Sequence, residues 1–114
     1  MDWSARKCVP CEGGTPRLTA AQAAEAARSL DGWEVREDGT RLAKRFEFRD
    51  FSQDMRFANA MAAVAEAEGH HPDFLVHRYK LVDVTLWTHA VGGLSENDFV
   101  LAAKLDARPE SRKA

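Results

Sequence analysis

Hydrophobic and polar positions change period several times along the chain, and the changes mark its elements. Leu18, Ala23, Ala26, Ala27 and Leu30 fall on one side of a helix that Thr19 opens as N-cap, with Gln22 at the capping-box position and Asp31-Gly32 as the stop. Residues 33–36 read as a short strand and Asp38-Gly39 as a hairpin turn. Residues 42–48 alternate: Leu42, Lys44, Phe46 and Phe48 share one face, marred only by the charge of Lys44, and Ala43, Arg45 and Glu47 share the other. A long helix follows, capped by Asp50 or Ser52 and running to Glu68, with Gly69 as its stop. Phe51, Met55, Ala58, Ala62 and Ala65 form one apolar stripe and Phe57, Met61 and Val64 the adjacent one, a width that suits packing on a sheet. Residues 74–79 and 81–89 predict two more strands. In the second, Val82, Val84, Leu86 and Thr88 point one way and Asp83, Thr85, Trp87 and His89 the other. Gly92-Gly93 breaks it, and Ser95, with Asp98 at the capping-box position, opens a last helix carrying Phe99, Leu101, Ala102 and Leu105.

The predicted order is αββαββα. Hairpin-linked strands with interspersed helices define an α+β fold of two layers, a four-stranded antiparallel sheet with three helices packed on one face. Residues 1–17 read as an irregular lead-in, 18–108 as a single domain and 109–114 as a frayed tail. At 114 residues, 45% hydrophobic and 30% charged, the chain has the balance of one globular domain, not a disordered segment. A net charge of −2 without a basic stripe argues against a nucleic-acid partner. No apolar run approaches the roughly 18 residues of a membrane span, and the N-terminal stretch has no apolar core of a secretory signal, so the cytoplasm is the expected location. Cys8-x-x-Cys11 has zinc or redox spacing but lacks a second ligand pair and the strand-to-helix setting of a dithiol site, and reads as a local turn feature.

Candidate chemistry concentrates in Glu66-Ala67-Glu68-Gly69-His70-His71-Pro72-Asp73. Two histidines just past a helix C-terminus meet the negative end of its dipole. Pro72 biases His71 toward extended backbone, and Glu66 stands one turn before His70. A third histidine, His89, ends the clearest strand, where binding loops gather. Set against this is a bland alternative in which the pair merely caps a helix and His89 is an exposed strand end. Three histidines and a carboxylate could also hold zinc, but there is no HExxH and adjacent histidines chelate awkwardly. Trp33 is either plain core or a stacking wall for a flat heterocycle.

Gly32-Trp33, FEFRDF at 46–51, EAEGHHPDF at 66–74, VTLWTH at 84–89 and GGLSENDF at 92–99 occur in an order and spacing that resemble the pterin-4a-carbinolamine dehydratases, and the likeness extends over nearly the whole chain. The resemblance implies dehydration of a 4a-hydroxytetrahydropterin to the quinonoid dihydropterin, a step that recycles pterin for aromatic amino-acid hydroxylases. It implies His70, His71 and His89 as catalytic histidines, Glu66 as the site glutamate, and Pro72, Thr88, Ala90, Val91 and Trp33 as substrate-contacting positions. No metal and no organic cofactor are expected, and a homodimer or homotetramer is. Trp87 departs from the mammalian pattern, which has a small residue there; it either narrows the cleft or adds to an interface. Alternatives on the same fold are a non-catalytic binding or regulatory module, and action on another pterin such as a molybdenum-cofactor precursor. Imidazole suits the proposed chemistry, because its ordinary pKa of about 6.5 lets it give or take a proton near neutrality.

Overall fold

The computed structural model describes residues 2–9 and 16–113. Helix α1 (Ala20–Ala27) starts where predicted, because Thr19 and Gln22 each accept the other's backbone N–H in a closed capping box. Strands β1 (Glu34–Arg36) and β2 (Arg41–Glu47) form the first hairpin, α2 (Phe51–Glu68) crosses back over the sheet, and β3 (Asp73–His77) and β4 (Leu81–Leu86) form the second. Helix α3 (Glu96–Ala107) closes the domain. The sheet is antiparallel in the order β1-β2-β4-β3, so the two hairpins join through their second strands, with Leu42 opposite Leu86 and Phe46 opposite Val82. This is the α+β architecture expected from the sequence.

Alternation decides which face is covered. Leu42, Phe46, Val82, Val84 and Leu86 project to the helix side and are buried with Phe48, Phe57, Met61, Phe99, Leu101 and Leu105. Lys44 shares that face without conflict, because its ammonium donates to Asp106 on α3 (3.0 Å) and to the carbonyl of Asp31 (3.0 Å) at the edge of the core.

Several expectations are corrected. Residues 78–79 leave the third strand: β3 ends at His77, and Arg78 and Tyr79 take left-handed backbone (φ 53° and 55°) to turn into β4. The last strand stops at Leu86, and His89 opens a short 3-10 turn, His89–Val91. Beyond α3 the described chain stays hydrogen-bonded to the domain. Pro109–Ser111 forms a 3-10 turn, the Arg112 carbonyl accepts from the Gln53 amide (3.2 Å), and the Ser111 hydroxyl donates to the Asp106 carbonyl (3.1 Å). The lead-in is anchored within residues 2–9. Trp3 lies in the core beside Phe99, its indole N–H bonded to Ser29 (3.0 Å), and Asn97 exchanges two hydrogen bonds with the Val9 backbone. Cys11, half of the Cys8-x-x-Cys11 pair, lies outside the described residues.

Candidate active site

Helix α2 ends at Gly69, whose left-handed backbone (φ 66°, ψ 28°) returns its N–H to the carbonyl of Ala65. That turn sends the two following histidines to different surroundings. His70 points inward and is only 7% exposed, whereas His71 stays at the surface.

His70 is held from the far side of the domain. Its Nε2 lies 2.7 Å from one carboxylate oxygen of Asp98, which is fully buried in the first turn of α3. The other oxygen of Asp98 accepts the Thr88 hydroxyl (2.8 Å) and the Ser95 backbone N–H (3.0 Å), and Thr88 and Ser95 share a further hydroxyl contact (2.8 Å). Asp98 therefore caps α3 and orients His70 with the same carboxylate. With Asp98 accepting, Nε2 is the donor of this bond, and in the neutral ring that tautomer makes Nδ1 the acceptor.

His71 is bonded through Nε2 to Glu66 across the last turn of α2. The spacing to His70 is one helical turn, yet Glu66 pairs with His71, because Gly69 rotates the chain and turns His70 into the interior. His89 is exposed on its 3-10 turn, its ring stacked on Trp87 with centroids 3.7 Å apart and planes at 26°. The Trp87 indole N–H donates to Asp73 (3.1 Å), and the Arg41 guanidinium stands 3.7 Å from its ring. Two routes thus connect the loops that carry the histidines: hydrogen bonds along His70–Asp98–Thr88 on the buried side, and a hydrogen bond followed by a ring stack along Asp73–Trp87–His89 on the open side. Among the described residues no hydrogen bond or ring contact joins two histidines directly, and no three His, Cys, Asp or Glu side chains are grouped to hold a metal ion.

The other expected positions divide. Pro72 and Val91 are partly exposed and Ala90 is exposed, beside the histidines they adjoin. Thr88 has no exposed surface, so its hydroxyl serves the Asp98 network. Trp33 is 5% exposed, edge-on to Phe46, and its indole donates to Asp106 (2.9 Å), eight residues along α3 from Asp98, a span of about 12 Å. Among the described residues, none of the ring or hydrogen-bond contacts of Trp33 is with a histidine. Asp98, Arg41 and Ser95 were not singled out for this chemistry from sequence, and Asp73 stood in the histidine segment without a role. Asp98 and Ser95 carried only a helix-start signal, and nothing local ties Asp73 or Arg41 to a tryptophan that lies well beyond either in the chain.

The family model described as Pterin 4 alpha carbinolamine dehydratase matches residues 16–108. A protein of Dechloromonas aromatica, provisionally named a pterin-4-alpha-carbinolamine dehydratase, is 50% identical over 101 residues, covering 89% of this chain and 88% of the relative. One of Nitrosomonas eutropha with the same provisional name is 45% identical over 106 residues, covering 92% and 91%. Among solved structures, a transcriptional coactivator/pterin dehydratase from Brucella melitensis superposes with a TM-score of 0.75 at 39% identity, covering 81% of this chain and 97% of that one. A pterin dehydratase-like RuBisCO assembly factor of the alpha-carboxysome superposes with a TM-score of 0.60 at 28% identity, covering 75% and 95%.

Proposed function

The chain belongs to the pterin 4 alpha carbinolamine dehydratase family, and from that premise we propose that it dehydrates a 4a-hydroxytetrahydropterin to the quinonoid dihydropterin. In this reaction the N5–H proton is removed, the C4a–O bond breaks as its oxygen is protonated, and a C4a=N5 double bond forms with release of water. The chemistry asks for one base and one acid on either side of a flat ring. The observation that carries the reading is that each of two solvent-facing imidazoles stands against its own orienting partner, His71 on Glu66 and His89 on Trp87, while a third, His70, is anchored on buried Asp98. His71 and His89 exchange acid and base roles, and His70 binds and orients the substrate through its free Nδ1. Pro72, Ala90 and Val91 border the ring. Such proton transfers contribute about 10²–10⁴-fold each. We place the enzyme as a homo-oligomer in the cytoplasm, supplying dihydropterin for re-reduction beside an aromatic amino-acid hydroxylase.

A spectrophotometric assay with freshly generated 4a-hydroxytetrahydrobiopterin, run with and without chelator, tests this. His71→Ala and His89→Ala lower the catalysed rate by about 10²-fold or more with the fold intact. Full activity in both variants refutes the mechanism, and loss of activity on chelation points to a metal instead. A second reading, a non-catalytic assembly or coactivator module, is favoured by the likeness to a transcriptional coactivator/pterin dehydratase and to a RuBisCO assembly factor. A wild-type chain inert towards 4a-hydroxytetrahydrobiopterin would support it.

A further inference from the structure

His70 and His71 are each held by a carboxylate, but the His89 ring makes no hydrogen bond among the described residues. It rides on an exposed three-residue 3-10 turn tied only by backbone bonds, Val91 N–H to the Thr88 carbonyl (3.2 Å) and Gly92 N–H to the His89 carbonyl (3.2 Å). A surface imidazole on such a turn keeps its side-chain rotamers unless something selects one. What selects it here is Trp87, whose ring lies 3.7 Å away in a stacked arrangement.

Trp87 is itself fixed from three directions. Its backbone follows the last paired residue of β4, where Leu86 lies opposite Leu42. The Arg41 guanidinium stands against the indole at 3.7 Å and also donates to the Thr40 carbonyl (2.9 Å), with Glu37 at 3.7 Å. The indole N–H donates to Asp73, the residue after the His70-His71-Pro72 run. Through that bond the loop bearing the paired histidines and the loop bearing the third share one rigid ring.

We propose that Trp87 is the positioning residue for His89, setting the imidazole's orientation relative to His71, with Asp73 and Arg41 fixing the indole. The inference rests on the dehydration reading of the site and extends it. A group that must meet a proton at a defined atom loses rate steeply when displaced, by up to about 10²-fold per ångström. Among the described residues the indole is the one ring or hydrogen-bond partner of the His89 side chain that limits such displacement.

The test compares wild type with Trp87→Leu, Trp87→Phe and Asp73→Ala by steady-state kinetics, thermal melting and ¹H–¹³C NMR of the histidine rings. Trp87→Leu is expected to lower kcat about 10–100-fold with KM little changed and the fold retained. Trp87→Phe, which keeps an aromatic face, restores most of the lost kcat. Asp73→Ala, which frees the indole N–H, gives an intermediate loss. In NMR the His89 ring protons move when Trp87 is replaced by Leu, because the ring current of the indole is gone. Unchanged kcat in Trp87→Leu alongside a large loss in His89→Ala overturns the positioning role and leaves the dehydration reading standing. A change confined to KM also overturns it, since Trp87 would then be a surface for the ligand, and so does a drop in melting temperature alone. Should the wild type lack dehydratase activity, the dehydration reading falls and the positioning role falls with it, whereas unmoved His89 signals in an active Trp87→Leu variant overturn the positioning role alone.

Discussion

Asp54 offers a sharp test of how burial governs this domain. It lies in the first turn of α2 with no exposed surface, and neither carboxylate oxygen has a hydrogen-bond partner among the described residues. Burial, with the nearby charge of Asp50 behind it, holds its carboxyl above the ordinary value of 3.8. Replacing it by Ala removes an unsatisfied buried group, worth about 1–3 kcal/mol. The change forfeits a favourable position at the positive end of the helix, about 0.3–1 kcal/mol, and gains up to about 0.7 kcal/mol of helix propensity. The balance is a stabilisation of about 1–2 kcal/mol near pH 7, or a rise of roughly 4–8 °C in melting temperature for a domain of this size. The sign with pH follows from proton counting. A carboxyl raised in the folded state binds more protons folded than unfolded between 3.8 and its folded value, so the parent loses stability as pH rises through that window and holds a constant penalty above it. Urea denaturation of parent and Asp54→Ala from about pH 4 to pH 8 should show the variant's advantage growing with pH and then levelling. A variant less stable than the parent at pH 7, or an advantage independent of pH, would refute the argument.

Two further outcomes follow from buried carboxylates that do have partners. Asp98→Asn puts an amide NH₂ against either the His70 Nε2–H or the Thr88 and Ser95 donors, so at least one bond is lost. The expected cost is about 1–3 kcal/mol in urea melts, together with a fall in dehydration rate because His70 loses its anchor. Unchanged stability and rate would show that the network does not hold the site. Glu68 is nearly buried and accepts the Cys8 backbone N–H (2.8 Å) and the Lys104 ammonium (2.9 Å). The Cys8 N–H, followed by Lys104, holds its carboxyl below the ordinary 4.5. Its stabilisation is therefore complete above 4.5 and is lost as pH falls through the lowered folded value. Glu68→Ala should destabilise at pH 7 and expose the Cys8 thiol to faster alkylation, followed by mass spectrometry of its peptide. The stability gap to the parent should narrow in acid, and a gap that widened there would contradict the assignment.

Much of this protein is written in interactions that close within three or four residues. The Thr19–Gln22 and Ser95–Asp98 capping boxes and the left-handed stop at Gly69 are local hydrogen-bonding problems with local answers. The period-two pattern likewise turns Val82, Val84 and Leu86 inward along β4, because adjacent residues of an extended chain must face opposite ways.

Packing decided the rest. Asp98 meets His70 across 28 residues, and no local pattern says that the exit of α2 abuts the entry of α3. Glu66 serves His71 although the helical repeat points it at His70, since one residue of left-handed backbone outweighs the helical spacing just beyond it. Trp33, whose sequence allowed core or pocket, is buried beside Phe46 with its indole bonded to Asp106. Arg112 and Ser111 are bonded to Gln53 and Asp106, partners that their own stretch of sequence does not announce. Local sequence sets which way a side chain leaves the backbone; what it then touches depends on how separate elements are juxtaposed, and that is a property of the whole core.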